Sequence, residues 1–346
     1  MRSFPFEVKT QDLRAALRVG VSVGLPIWAI YASGHIHFAV YAAFGALTSL
    51  YGHSEIVERR VETQIVAGAA LVATLASGAL YSVTQGPQWL LPVMLAAVVV
   101  GAGTLGTIMR WVPRGEIFFI LVFLVVAGIP LTPEEILPVI AVGAGGAAFS
   151  ILLTLLERGG RADAEPFARG VRLRMQAGLA PLARTRHAIT ITIAAMAATG
   201  AWLLALALDI GHPFWAPIAV AALMPALTPA DAMRRAIYLL LGTLGGVCIG
   251  AVLFAQEPGP LALIISIALC QAVAELFMAR NYALALVFIT PLAIGMSNLG
   301  RNLPWSPLLV ERLAEAGLGA AVAVVAILVG SRLLALLAAP RIESEA

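Results

Sequence analysis

The residues able to do chemistry in this chain concentrate between Glu275 and Asn298. Glu275 brings a carboxylate, Arg280-Asn281 a guanidinium beside an amide, and Thr290-Pro291 a break in an otherwise apolar run. A carboxylate at membrane depth is costly unless it faces water, a partner or a transported ion, so it reads as a proton carrier or an anion barrier. The bland alternative is a carboxylate near a helix end that pairs with Arg280, Arg234 or Arg235. Arginine presents a fixed fork of donors that matches a carboxylate. A Thr-Pro pair inside a spanning helix frees a backbone carbonyl that something must satisfy.

The elements holding these groups follow from composition. The 346 residues are 60% hydrophobic and only 12% charged, with a mean hydropathy of +0.93. Soluble domains carry about 25% charged residues, so most of the chain belongs in lipid. The basic residues are spread between apolar segments and form no single patch, which argues against nucleic acid as a partner. Lys9, ahead of the first apolar segment, is the one lysine, which excludes a Walker phosphate loop. Cys248 and Cys270 lie inside apolar segments and do not form a disulfide framework. No HExxH, GxSxG or metal-ligand cluster appears, so the sequence predicts no enzyme, no metal and no cofactor.

A span needs about 20 apolar residues. On that basis the first set of segments falls near 13–31, 36–50, 62–83, 89–109, 116–131 and 134–156. The second set falls near 187–208, 213–228, 235–255, 260–279, 281–298 and 313–337. The first segment is read as a membrane helix and not as a cleaved leader, because a matching segment heads the second set. The predicted fold is an all-α polytopic membrane protein of about twelve transmembrane helices. Its modules are 1–156 and 187–346, joined by a basic linker over 157–186. With the N-terminus in the cytoplasm, 20 of the 22 Lys and Arg residues fall on the inner side, leaving Arg301 and Arg312 outside. That asymmetry predicts both termini inside. In the linker Phe167, Val171, Met175 and Leu179 recur at helical spacing, predicting an amphipathic helix on the membrane surface, held by anionic lipid.

The two sets repeat. Gly34-His35-Ile-His37 parallels Gly211-His212, Arg59-Arg60 parallels Arg234-Arg235, and Arg114 parallels Arg280. An even number of spans per half makes the repeats parallel, with a pathway expected at the seam. The inner-end cations Arg280, Arg234, Arg235, Arg110 and Arg114 could gather an organic anion, although the positive-inside rule alone already demands basic residues there. His35, His37 and His212 read as outer-mouth residues, and Gly242, Gly246 and Gly250 as a packing stripe. Glu275 is read as the acidic residue inside a span, and Pro217 and Pro225 as breaks in the eighth segment.

The run Ala279-Arg-Asn-Tyr-Ala-Leu-Ala-Leu-Val-Phe-Ile-Thr-Pro291 resembles the signature of the fusaric acid resistance-like membrane proteins. His212-Pro-Phe-Trp-Ala216, Pro229-Ala-Asp-Ala-Met-Arg-Arg235 and Leu241-Gly-Thr-Leu-Gly-Gly246 are similar to that family too, in its usual order. The resemblance is specific over about 187–300 and weaker over 13–156. It implies a bacterial inner-membrane protein of six-helix modules, linked to export of aromatic carboxylic acids. It also implies a distant likeness to plant aluminium-activated malate transporters, whose arginines line an anion path, which adds weight to Arg280, Arg234 and Arg235. The large cytoplasmic domains of many relatives have no counterpart in the linker or tail here. The expected function is export of small organic anions with membrane lipid as the surrounding partner. A passive anion channel and a non-transporting scaffold are the alternatives, and pairing of two chains is left open.

Overall fold

Apolar stretches this long must satisfy their backbone internally, and helices do so in every described element of the computed structural model. The structure describes residues 10–52, 55–111, 116–157, 167–182, 185–226, 228–278, 280–301 and 303–338. The first half is built from α1 (Thr10–Ala32), α2 (Ala39–Ala46, with a 3₁₀ turn at each end), α3 (Val57–Thr84), α4 (Leu90–Met109), α5 (Ile117–Ala127) and α6 (Ile136–Glu157). The basic linker carries α7 (Phe167–Leu182). The second half is α8 (Thr185–Ala207), α9 (Trp215–Leu223), α10 (Pro229–Phe254), α11 (Pro260–Met278), α12 (Tyr282–Asn298) and α13 (Trp305–Ala338). Among the described residues eight helices are long and apolar enough to cross a membrane, and leucines such as Leu17, Leu25 and Leu241 are exposed on their outer faces. The chain is an all-α polytopic membrane protein.

In each half the second and fifth helices are short. α2, α5 and α9 have eight, eleven and nine residues, and α12 has seventeen. At about 1.5 Å per residue the first three fall well short of a hydrocarbon core about 30 Å thick. Short helices with irregular ends are tolerated at that depth only when protein covers them. They are covered: every residue of α2 is buried, and in α9 every residue except Ala222. The same neighbours recur in both halves. The second helix packs on the sixth, the third on the fifth and sixth, and the first on the second. Between the halves the first helix of each packs on the fourth of the other: α1 on α11, and α8 on α4. The short helices also meet across the seam, α5 on α9 and α2 on α12.

Glycines set the closest approaches. Pro291 in α12 has no N–H, so the carbonyl of Val287, four residues earlier, loses its helical donor. Gly246 of α10 lies against that carbonyl. A Cβ built on Gly246 would sit 2.8 Å from Val287 O and 2.5 Å from Thr290 Cβ. Gly242 meets the Ala283 carbonyl in the same way, so the predicted stripe packs α10 on α12. Gly246→Leu should therefore force the two helices apart, at about 1–3 kcal/mol or more for overpacking. A lowered unfolding midpoint of the detergent-solubilised protein measures it, and an unchanged midpoint contradicts this packing account.

Several sequence boundaries shift. α13 begins at Trp305, eight residues before the expected 313, so Glu311 and Arg312 belong to the helix and not to a loop. α10 begins at Pro229 and α3 at Val57, which places Arg234-Arg235 and Arg59-Arg60 inside helices. α5 ends at Ala127, short of the expected 131. The linker helix forms as expected, with Leu173, Met175 and Leu179 exposed, yet Arg174 turns inward to Thr63 (2.6 Å) and Glu55 (3.4 Å). Arg2, Lys9, Arg114 and Arg341 lie outside the described residues.

Candidate functional site

A cavity of about 1790 Å³ occupies the seam between the halves. All four short helices contribute walls: Phe44 and Leu47 from α2, Phe118 and Leu121 from α5, Ile218 and Ala222 from α9, and Leu286 to Ser297 from α12. Along α12 the lining runs from Tyr282 to Ser297, about 22 Å at 1.5 Å per residue. The walls are apolar because these helices are nearly pure Leu, Ile, Val, Phe and Ala. Polar side chains gather at the two ends.

At one end stand Arg14, Arg18, Arg60, Arg234, Arg235 and Arg280. They come from the starts of α1, α3 and α10 and from the turn after α11, which the alternating helices bring to one level. Carboxylates share the rim. Glu157, at the end of α6, accepts from Arg18 Nη1 (2.8 Å) and Arg60 Nη1 (2.9 Å). Arg60 also donates to the carbonyls of Gly52 (3.2 Å) and Glu55 (3.0 Å). Arg280 pairs with Asp12 and donates to the Leu276 carbonyl at 2.8 Å, tying the α11–α12 turn to α1. Arg234 pairs with Asp231 at 2.7 Å and is well exposed.

The expected site residues separate on this geometry. Glu275, Arg280, Arg234 and Arg235 line the cavity together. Arg280 is bound to Asp12 and Arg234 to Asp231, and Arg18 of α1, which was not among the expected partners of Glu275, lines the same cavity. Asn281 turns out to be a helix cap: its side chain accepts from Leu284 N at 3.1 Å, meeting an orphan donor at the start of α12. Thr290 is fully buried against Gly246, and neither it nor Pro291 is a lining residue. Their place is in helix packing. His35 is exposed on the far loop, 3.4 Å from Ser33 Oγ, whereas His212 is held by Glu311 at 2.6 Å. The two histidines match in sequence but not in environment, and neither lines the cavity. Pro217 lies buried inside α9, and Pro225 lines the cavity just after that helix.

The far end of the cavity holds residues that the span count misplaced. Arg312 of α13 lines it, is 3% exposed, and has its guanidinium carbon 4.5 Å from the centre of the Trp215 ring. Its Nε and Nη1 have no hydrogen-bond partner. One turn further on, Glu315 is fully buried and accepts the backbone N–H groups of Trp215 (2.7 Å) and Ala216 (3.0 Å). These are orphan donors at the start of α9, whose own N-cap residue, Phe214, has no side-chain cap bond. Glu275 is thus not the one acid inside a span. The i, i+3 spacing of Arg312 and Glu315, after the helix-starting Ser306-Pro307, was the available signal.

Residues 200–326 match the family model described as fusaric acid resistance protein-like. A curated relative, the uncharacterized membrane protein YvaC of Bacillus subtilis (strain 168), is 38% identical over 93 residues, which cover 27% of this chain and 15% of that protein. No solved structure matches. The match begins in α8, ends in α13 and takes in the α9 and α12 walls of the cavity together with Arg312 and Glu315. Over residues 200–326, most of its second half, this membrane protein is similar to the fusaric acid resistance protein-like family.

Proposed function

We propose that the protein carries small organic anions, aromatic carboxylates foremost, out of a bacterial cell through the cavity at the seam. The observation that carries this reading is the cavity itself. It is large enough for a small acid, apolar along its walls, and ringed at one end by six arginines. Cations at a mouth raise the local concentration of anions, and apolar walls suit the ring of an aromatic acid. The positive-inside rule assigns the arginine end to the cytoplasm, in the inner membrane, with both termini on that side. A negative interior then favours outward movement of an anion. Glu275 stands in the cavity wall as the group that could exchange a proton during the cycle, and Asp12, Arg14 and Arg18 flank the mouth beside it. No cofactor is required.

Uptake of labelled benzoate into inverted vesicles, with and without a pH gradient, tests the reading. Saturable uptake above vesicles lacking the protein is expected. Glu275→Gln should remove the part stimulated by the gradient, by about tenfold if this is the proton site. Uptake that ignores both the gradient and Glu275→Gln, and follows the potential alone, would identify a passive anion channel. Absence of uptake for every aromatic and aliphatic acid tried would sink the proposal and favour a scaffold.

A further inference from the structure

We propose that Arg312 is the anion-binding residue of the cavity wall away from the arginine rim, and that it selects organic acids bearing a single carboxylate. The inference rests on the transport reading for its purpose but not for its geometry. A guanidinium removed from water needs acceptors for its N–H groups, and each other cation buried at the seam has at least one carboxylate, although Arg18 Nε and Nη2 also lack a partner among the described residues. Arg18 binds Glu157, and Arg60 binds Glu157 with the Gly52 and Glu55 carbonyls. Arg312 is as buried as any of these, yet Nε and Nη1 have no acceptor. Along its helix Glu311 is engaged with His212, and Glu315 gives Oε2 to the first N–H groups of α9 while its buried Oε1 has no hydrogen-bond partner among the described residues, Arg312 included. What the structure does supply is the Trp215 ring beneath the guanidinium, an aromatic face that stabilises a cation without using any of its donors.

Arg312 therefore presents a positioned cation with free donors, inside the cavity whose lining also carries the arginine cluster. A carboxylate is the complementary group, since its two oxygens match the planar fork. The walls leading to Arg312 belong to Leu286, Ile289, Leu292 and Met296, so the body of the ligand must be apolar. A second carboxylate on the same molecule would lie against these side chains without a cation of its own. The arginine rim and Arg312 thus differ in what they accept. The mouth has several arginines and gathers any anion, whereas Arg312 takes one charge. The related helix α6 has no charged residue between Ile136 and Leu156, so the second half alone provides this cation.

Trp215 supplies the readout. Iodide quenches tryptophan fluorescence on contact, and an iodide held by Arg312 lies beside Trp215. The full-length protein in nanodiscs is titrated with iodide, with Trp215→Phe defining the Trp215 component. That component should be quenched saturably by iodide and spared by caesium. Benzoate should displace iodide at a concentration at least about tenfold lower than phthalate, because the second charge is left unpaired. Arg312→Gln should abolish the saturable quenching. Arg312→Lys should keep it with affinity weakened about three- to tenfold, since the charge remains and the planar fork is lost. The lysine variant decides the matter should the glutamine variant fail to fold. Quenching with equal affinity in Arg312→Lys, persistence in Arg312→Gln, its absence in the unmodified protein, or equal displacement by phthalate would each overturn the proposal. Saturable quenching without carboxylate flux would leave the binding site standing and overturn the transport reading alone.

Discussion

Glu157→Gln is expected to destabilise the fold by about 3 kcal/mol, at the low end for breaking a buried ion pair, because Glu157 is partly solvated. One carboxylate oxygen serves Arg18 and Arg60 at once, and the side chains of those two arginines are only 6% and 12% exposed. Removing the acid leaves two guanidiniums side by side where α1, α3 and α6 meet. The glutamine oxygen can still accept a hydrogen bond but carries no charge; Arg60 keeps two backbone carbonyls, whereas Arg18, whose Nε and Nη2 already lack acceptors among the described residues, loses the carboxylate it pairs with. The cost should therefore fall mainly on Arg18. Adding Arg18→Met to Glu157→Gln should recover more than half of the loss, because the second change removes the stranded charge. Denaturant unfolding of the purified protein in mixed micelles measures both variants. A double mutant no more stable than Glu157→Gln would show that Arg18 is not the group that suffers.

The second large effect concerns Glu315. Glu315→Leu removes the acceptor for two backbone N–H groups at the start of α9, and each stranded donor costs about 1–3 kcal/mol. The favourable placement of a negative charge at a helix N-terminus is lost with it. α9 has only nine residues and cannot recover these bonds elsewhere. A loss of about 3–4 kcal/mol is expected on those grounds. Glu315→Gln retains an amide oxygen able to accept both bonds and should cost about 1 kcal/mol or less. The contrast separates capping from proton transport. If Glu315 instead ferried protons, the Gln variant would be stable and inactive. Stability and benzoate uptake measured together on both variants distinguish the two, and uptake retained in Glu315→Gln is the outcome expected here.

Much of this architecture was legible in the sequence because membrane burial is written in composition. The long apolar helices, the repeat and the arginine end follow from hydropathy and from where Arg59-Arg60, Arg234-Arg235 and Arg280 fall. Gly242 and Gly246 read correctly as packing, since a missing side chain every fourth residue has one main use on a membrane helix. The opposite end was harder to read. Glu311 and Arg312 fall just before the expected 313–337 segment and Glu315 just inside it, because hydropathy trims the charged start of a helix. The fold buries that start by laying α9 against it, a contact nearly a hundred residues distant in sequence that no local pattern reports. Thr290 and Pro291 misled for the related reason that a broken helix exposes its free carbonyl either to a ligand or to a neighbouring glycine. Only the tertiary packing shows that Gly246 fills that place.

The short helices also determine where a membrane voltage would act. On the proposed transport reading, solvent entering the cavity from the arginine rim would carry the electrical potential of that compartment inward to Arg312. Arg312 lies two turns into α13, about 10 Å from the Trp305 end at 1.5 Å per residue. Nearly all of the transmembrane voltage then falls across that remaining layer, where the field is about three times steeper than across an unbroken 30 Å core. An anion travelling from the arginine mouth to Arg312 crosses almost none of it. The roughly 2.3 kcal/mol per charge per 100 mV acts instead on the step beyond Arg312. On that reading occupancy at Arg312 should be indifferent to voltage, while passage past it should be steeply sensitive.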